Sequence, residues 1–157
     1  MLKKILYASL IVVISLPVFA KPSQASSCQL FDNGYSLFTN CEFPTNRGGV
    51  FRNGEWQVSI ARWNQGEAFD YMYKGENLRT GDSLSLNNVD LSGTTTRSKY
   101  IFRNGNYRYI VTVRPSDPNT IRLEVYQGGQ VLLNQLLYRV GSVDDAYREF
   151  YGPSYGR

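Results

Sequence analysis

The segments FRNGEWQVSI, residues 51–60, and FRNGNYRYIV, residues 102–111, share four identical residues, then an aromatic two positions on and a strand-like run. Asn-Gly between alternating runs is the strongest short-range hairpin signal, because both central residues of a type I′ turn need positive φ. With Asn53-Gly54 at the first tip, Phe51 is expected opposite Trp56 and Arg52 opposite Glu55. With Asn104-Gly105 at the second, Phe102 is expected opposite Tyr107, Tyr100 opposite Tyr109 and Arg103 opposite Asn106. Each copy then sets an aromatic pair across its ladder, a recognised source of sheet stability. The repeat reads as the grammar of a sheet rather than as a ligand signature.

Alternation continues beyond both turns. Trp56, Val58 and Ile60 share one face, with Gln57, Ser59 and Ala61 on the other; Tyr107, Tyr109, Val111 and Val113 repeat the inward stripe. Return strands follow at Phe69, Tyr71 and Tyr73, and at Ile121, Leu123 and Val125. Taking residues 115–119 as a loop pairs Val113 with Ile121, Val111 with Leu123 and Tyr109 with Val125, an apolar register throughout. Further strands are expected at 83–87, after the turn-rich KGENLRTGD, and at 130–139. The expected fold is all-β: an antiparallel sandwich or barrel of ~8–10 strands, built from two similar hairpin-rich units over roughly 49–87 and 99–139. At the C-terminus the period changes. Ser142-Val143-Asp144-Asp145 resembles a capping box, and Val143, Tyr147, Phe150 and Tyr151 share one side of a short helix that packs across the sheet or plugs one end.

Lys3 and Lys4 precede an apolar run from Ile5 to Leu16, and Val18-Phe19-Ala20 supplies small residues for cleavage. Residues 1–20 therefore read as a signal peptide, with cleavage after Ala25 as the alternative, and too short for a membrane span. The remainder divides into a single all-β domain over 26–151 and a flexible tail over 152–157. Cleavage after Ala20 lowers the formal charge from +4 to +2, and cleavage after Ala25 leaves +1. No basic run remains for phosphate neutralisation, so nucleic acid is not expected as a partner. The short Lys-Lys signal and the absence of Asn-x-Ser/Thr point to a bacterial protein, exported to the periplasm or beyond.

Cys28 and Cys41 are the only two cysteines. In an exported chain an even count reads as a disulfide. A hairpin with Asn33 to Ser36 as its loop pairs Asp32 with Leu37 and Leu30 with Thr39, and so sets Cys28 opposite Cys41.

The chain contains no histidine. That closes Ser-His-Asp and Cys-His catalysis, imidazole acid–base work and His-containing metal sites, and no cofactor motif is present. A carboxylate-based glycoside hydrolase needs only two facing acids. Glu67 with Asp70, or Glu55 facing Lys74 near Trp56, are the candidates, each with an ordinary surface reading. The expectation is a non-catalytic exported envelope protein that binds a cell-wall glycan or a protein ligand; the alternative is an inhibitor of an envelope hydrolase. The candidate ligand-binding residues are Arg52 and Arg103 at the hairpin tips, with Trp63 and Tyr126 as aromatic platforms. Outward Arg108, Arg114 and Arg122 could join the arginines in one patch, and Tyr35, Phe38 and Tyr155 are further unassigned aromatics.

Overall fold

A computed structural model describes residues 31–32, 37–38, 48–62, 71–94 and 96–155. The expected signal segment, Cys28, Tyr35, Cys41, Trp63, Glu67, Phe69 and Asp70 lie outside the described residues. A two-stranded pair comprises β1 (Phe31–Asp32) and β2 (Leu37–Phe38), in the expected register of Asp32 opposite Leu37. The main sheet contains β3 (Gly48–Arg52), β4 (Trp56–Arg62), β5 (Tyr71–Asn77), β6 (Ser83–Leu86) and β7 (Val89–Thr94). It continues with β8 (Arg97–Asn104), β9 (Tyr107–Arg114), β10 (Asp117–Gln127) and β11 (Gln130–Gly141), and α1 (Val143–Tyr151) closes the chain.

These nine strands form one antiparallel sheet in the order β6-β5-β4-β3-β11-β10-β9-β8-β7. Two four-strand meanders, β3–β6 and β8–β11, join through β3 and β11. Strand β7, which the sequence reading missed, extends the far edge. Strands β6 and β7 are the two ends of the sheet, yet only Asn87 and Asn88 separate them. Three peptide units reach ~11 Å at most, so the sheet must curl until its free edges approach at that link. Asn88 makes the corner at φ 64°, in the left-handed region that asparagine tolerates. The fold is a half-barrel of one curled sheet.

The inner face carries the expected stripe. Phe51, Val58, Ile60, Tyr71, Tyr73, Tyr100, Phe102, Val111, Val113, Ile121, Leu123 and Leu137 are buried together. Tyr71 meets Tyr100 edge-on at 4.9 Å, and Tyr73 lies 5.1 Å from Phe102. The pairs Val113–Ile121, Val111–Leu123 and Tyr109–Val125 are as the alternation requires.

At both Asn-Gly tips the partners are shifted by two residues from the expected register, with parity kept. At the first, Arg52 faces Gln57 and Phe51 faces Val58, because the turn takes four residues. Asn53 Oδ1 accepts from the N–H groups of Glu55 (2.9 Å) and Trp56 (2.8 Å), so its side chain closes the turn together with the backbone bond from Asn53 N–H to Trp56 C=O (3.0 Å). At the second, Asn104 faces Tyr107, so the two-residue turn is Gly105-Asn106, and Phe102 faces Tyr109. Gly105 supplies the positive φ, 59°, at the first central position, as in a type II′ turn. The expected 115–119 loop is also shorter: Arg114 already pairs with Asp117, and the extra residues form a bulge before Ile121.

The helix covers the outer face of β3, β4 and β5. Val50, Ala61 and Met72, all of outer parity, are buried with Ala146 and Tyr147 of α1. This is why β4 is buried on both faces. The capping box is present, with Ser142 Oγ accepting from Asp145 N (3.2 Å) and Asp145 Oδ2 accepting from Ser142 N (2.8 Å). The expected flexible tail is docked through Tyr155, whose ring lies 5.1 Å from Tyr147 and 5.2 Å from Tyr151.

Candidate functional site

The ladder between β11 and β3 runs only from Tyr138 to Gly141. Beyond it β3 turns away at Asn53, while β11 continues alongside β10 for eight more residues, back to Gln130. The inner face opens there into a cleft of about 380 Å³. Trp56, Tyr73, Tyr107 and Tyr109 supply its aromatic walls, Leu123, Val125 and Leu133 its floor, and Leu84 and Leu132 its lips.

The local chemistry follows from β-parity. Tyr73, Gly75 and Asn77 alternate inward on β5, and the Tyr73 hydroxyl lies over Gly75, where a Cβ would collide with it. Glycine at that position makes room for the phenol. Burial pushes the Tyr73 phenol well above its ordinary range, with Tyr109 adding to the effect; Tyr109 is raised by burial and by Tyr107. Both stay protonated at physiological pH. The indole Nε1 of Trp56 is buried with no hydrogen-bond partner, a donor without an acceptor. Among the described residues lining the cleft, Asp82 is the one carboxylate, and it accepts from Thr80 Oγ1 at 2.6 Å within its own turn.

One wall is a strand edge. Leu136 C=O accepts from Asn53 Nδ2 at 3.2 Å, so the N–H and C=O of Leu136 face away from β10. Alternation in an antiparallel strand turns those of Asn134 the same way, past the end of β3 and unpaired among the described residues. Leu132 and Leu133 flank this edge at the cleft.

Of the described sequence candidates, Arg103 and Tyr126 share one outward row across β8, β9 and β10 with Arg108 between them, and Arg52 lies apart. Arg52 is exposed at the end of β3 and donates through Nε to Gln57 Oε1 at 3.0 Å. Arg103 on β8 pairs with Asp90 at 2.8 Å. Four strand spacings separate β3 from β8 in the sheet, ~19 Å, so these two arginines are not one patch. Tyr126 is half-buried, with the Arg108 guanidinium 5.2 Å above its ring and its hydroxyl donating to Glu124 at 3.1 Å. Trp63 lies outside the described residues. Glu55 pairs with Arg79 at 3.4 Å, and Lys74 faces Ser59 and pairs with Glu149 at 3.1 Å, so the expected Glu55–Lys74 juxtaposition is not formed.

Sequence reasoning assigned Trp56, Tyr73, Tyr107 and Tyr109 to packing alone. The available signal was their position: two tyrosines begin an inward stripe that becomes Val111 and Val113 deeper in the sheet, as amphipathic side chains do near an opening. No protein-family model, no curated protein and no solved structure matches the chain.

Proposed function

We propose that this protein is an exported, non-catalytic binding module of the cell envelope, and that its ligand is a protein, engaged through an extended apolar segment. The observation that carries the reading is the aromatic cleft bordered by the unpaired edge of β11. An extended peptide placed along that edge completes a ladder with the N–H and C=O of Asn134, and its alternate side chains enter the cleft. Trp56 Nε1 and the Tyr73 hydroxyl supply two further donors.

A glycan fits this cleft less well. Sugar recognition needs several convergent polar side chains beside the aromatic faces, whereas Asn77 and Asp82 at the rim are engaged in the 77–82 turn. Two facing carboxylates, as a glycoside hydrolase requires, are not present among the described residues of the cleft.

The test is selection of extended peptides from a displayed random library on the immobilised full chain. The expected winners alternate apolar residues with period two, and lose binding to Asn134→Pro, which removes the edge N–H without touching the β10 ladder. Winners without that period, or with unchanged affinity for Asn134→Pro, would remove the strand-addition reading; capture of soluble wall glycan released by competing sugar would restore the glycan.

A further inference from the structure

Helix α1 covers the outer face of β3–β5 and does not reach the outer face of β8–β10. There the ladder sets Lys99, Thr112 and Arg122 side by side on three adjacent strands. One step past the last β8–β9 pair, Ser98–Val113, Arg97 and Arg114 reach the ends of neighbouring strands on the same face. All five line one groove of about 520 Å³. Among the described residues none of these four cations forms an ion pair; the pairs present use Lys74, Arg79, Arg103 and Arg148. Asp117 and Glu124 also line the groove, leaving it net positive, and Glu124 is engaged by the Tyr126 hydroxyl. At the floor Thr112 is only 8% exposed, and its buried Oγ1 has no hydrogen-bond partner.

Like charges on neighbouring strands destabilise a sheet, and an orphaned buried hydroxyl adds to that cost. Both features are relieved by one kind of occupant. We propose that this groove binds a multivalent oxyanion, a ligand carrying phosphate or carboxylate groups in series. Arg97 and Arg114 hold one group and Lys99 and Arg122 the next, two residues further along the strands, ~7 Å away. The guanidinium forks accept an oxyanion in bidentate fashion, and the Thr112 hydroxyl gains the acceptor it lacks. The site is on the opposite face from the cleft and shares with the β11 edge only Asn134, whose Oδ1 accepts from Arg122. The cations come from three strands, which is why no basic run is visible along the chain.

Isothermal titration of the full chain at low salt, with tripolyphosphate in one arm and a galacturonate trimer in the other, tests the assignment. Binding of either is expected, weakening as salt rises, and the tighter arm identifies phosphate or carboxylate as the source. The double variant Arg97→Gln/Arg114→Gln is expected to bind about tenfold more weakly or worse. It should melt at least as high as the parent, since it removes repulsion without opening the core. Arg103→Gln, whose side chain is already satisfied by Asp90, is the control and should bind as the parent does. Absence of binding in both arms overturns the proposal. So does equal weakening by Arg103→Gln.

Discussion

Arg139 lies across the ring of Phe51, its guanidinium carbon 4.6 Å from the ring centroid. The same side chain donates to Gly48 O at 2.9 Å and Pro118 O at 3.1 Å, and so ties β3, β10 and β11 together where the two meanders meet. Burial lowers its pKa from the usual arginine value. The seam between the two halves is thus held by one cation on an inward position, facing Phe51 across the ladder.

Replacing this cation should loosen the seam first. Arg139→Met keeps the stem but leaves those carbonyls without their donor. The expected loss is about 2–3 kcal/mol, read as a lower urea midpoint at unchanged m-value. A loss below ~0.5 kcal/mol would show the seam to be held by packing alone.

Gly48 is expected to be the least replaceable glycine. Its φ is 153°, and a Cβ there would run into the carbonyl of Ile60 on β4. Gly48→Ala should cost ~3 kcal/mol or more, because strain and collision coincide. Gly105→Ala, at φ 59° with open space around it, should cost only about 1 kcal/mol. Thermal unfolding of the two variants side by side decides the ranking.

The helix cap predicts an acid-side pH dependence. Hydrogen bonds from the Ser142 hydroxyl and N–H hold the Asp145 carboxyl below its ordinary range. A folded pKa below the unfolded one means a contribution fully present above ~4 that is lost as pH falls through the folded value. Asp145→Asn should therefore flatten the stability profile below about pH 4, and Ser142→Ala should reduce its slope there and cost ~1 kcal/mol at neutrality. Denaturant midpoints collected between pH 2 and 7 would check both.

Cleft function and core packing can be separated at Gly75. An added methyl must displace the hydroxyl of Tyr73, itself a residue of the cleft wall. Gly75→Ala should cost ~1–3 kcal/mol and should also abolish capture of peptides selected on the parent. An affinity unchanged in the folded variant would place the peptide elsewhere.

Much of the sheet is legible in the sequence because side-chain parity is strict. Val111 with Leu123 and Tyr109 with Val125 could be paired before any coordinates, since that register keeps every inward position apolar or aromatic. The Asn-Gly turns misled because local turn chemistry admits several solutions. At residues 53–56 the Asn53 side chain joins the backbone in closing the turn, and at 104–107 the glycine moves to the first central position. Strand β7 escaped because Asp90, Ser92 and Gly93 dilute the β-formers Val89 and Thr94 in VDLSGT, and because it sits on an edge. The cleft and the oxyanion groove were illegible for a topological reason. One depends on where the β3 ladder stops, and the other gathers side chains from three strands.

Amide hydrogen exchange in the free protein reads the β11 edge at Asn134 itself. Asn134 is expected to exchange freely while Gln135, opposite Leu123 of β10, is protected, and a selected peptide should slow Asn134 selectively. Equal protection of Asn134 and Gln135 in the free protein would mean that the edge is already covered, and the β11 docking site would not exist.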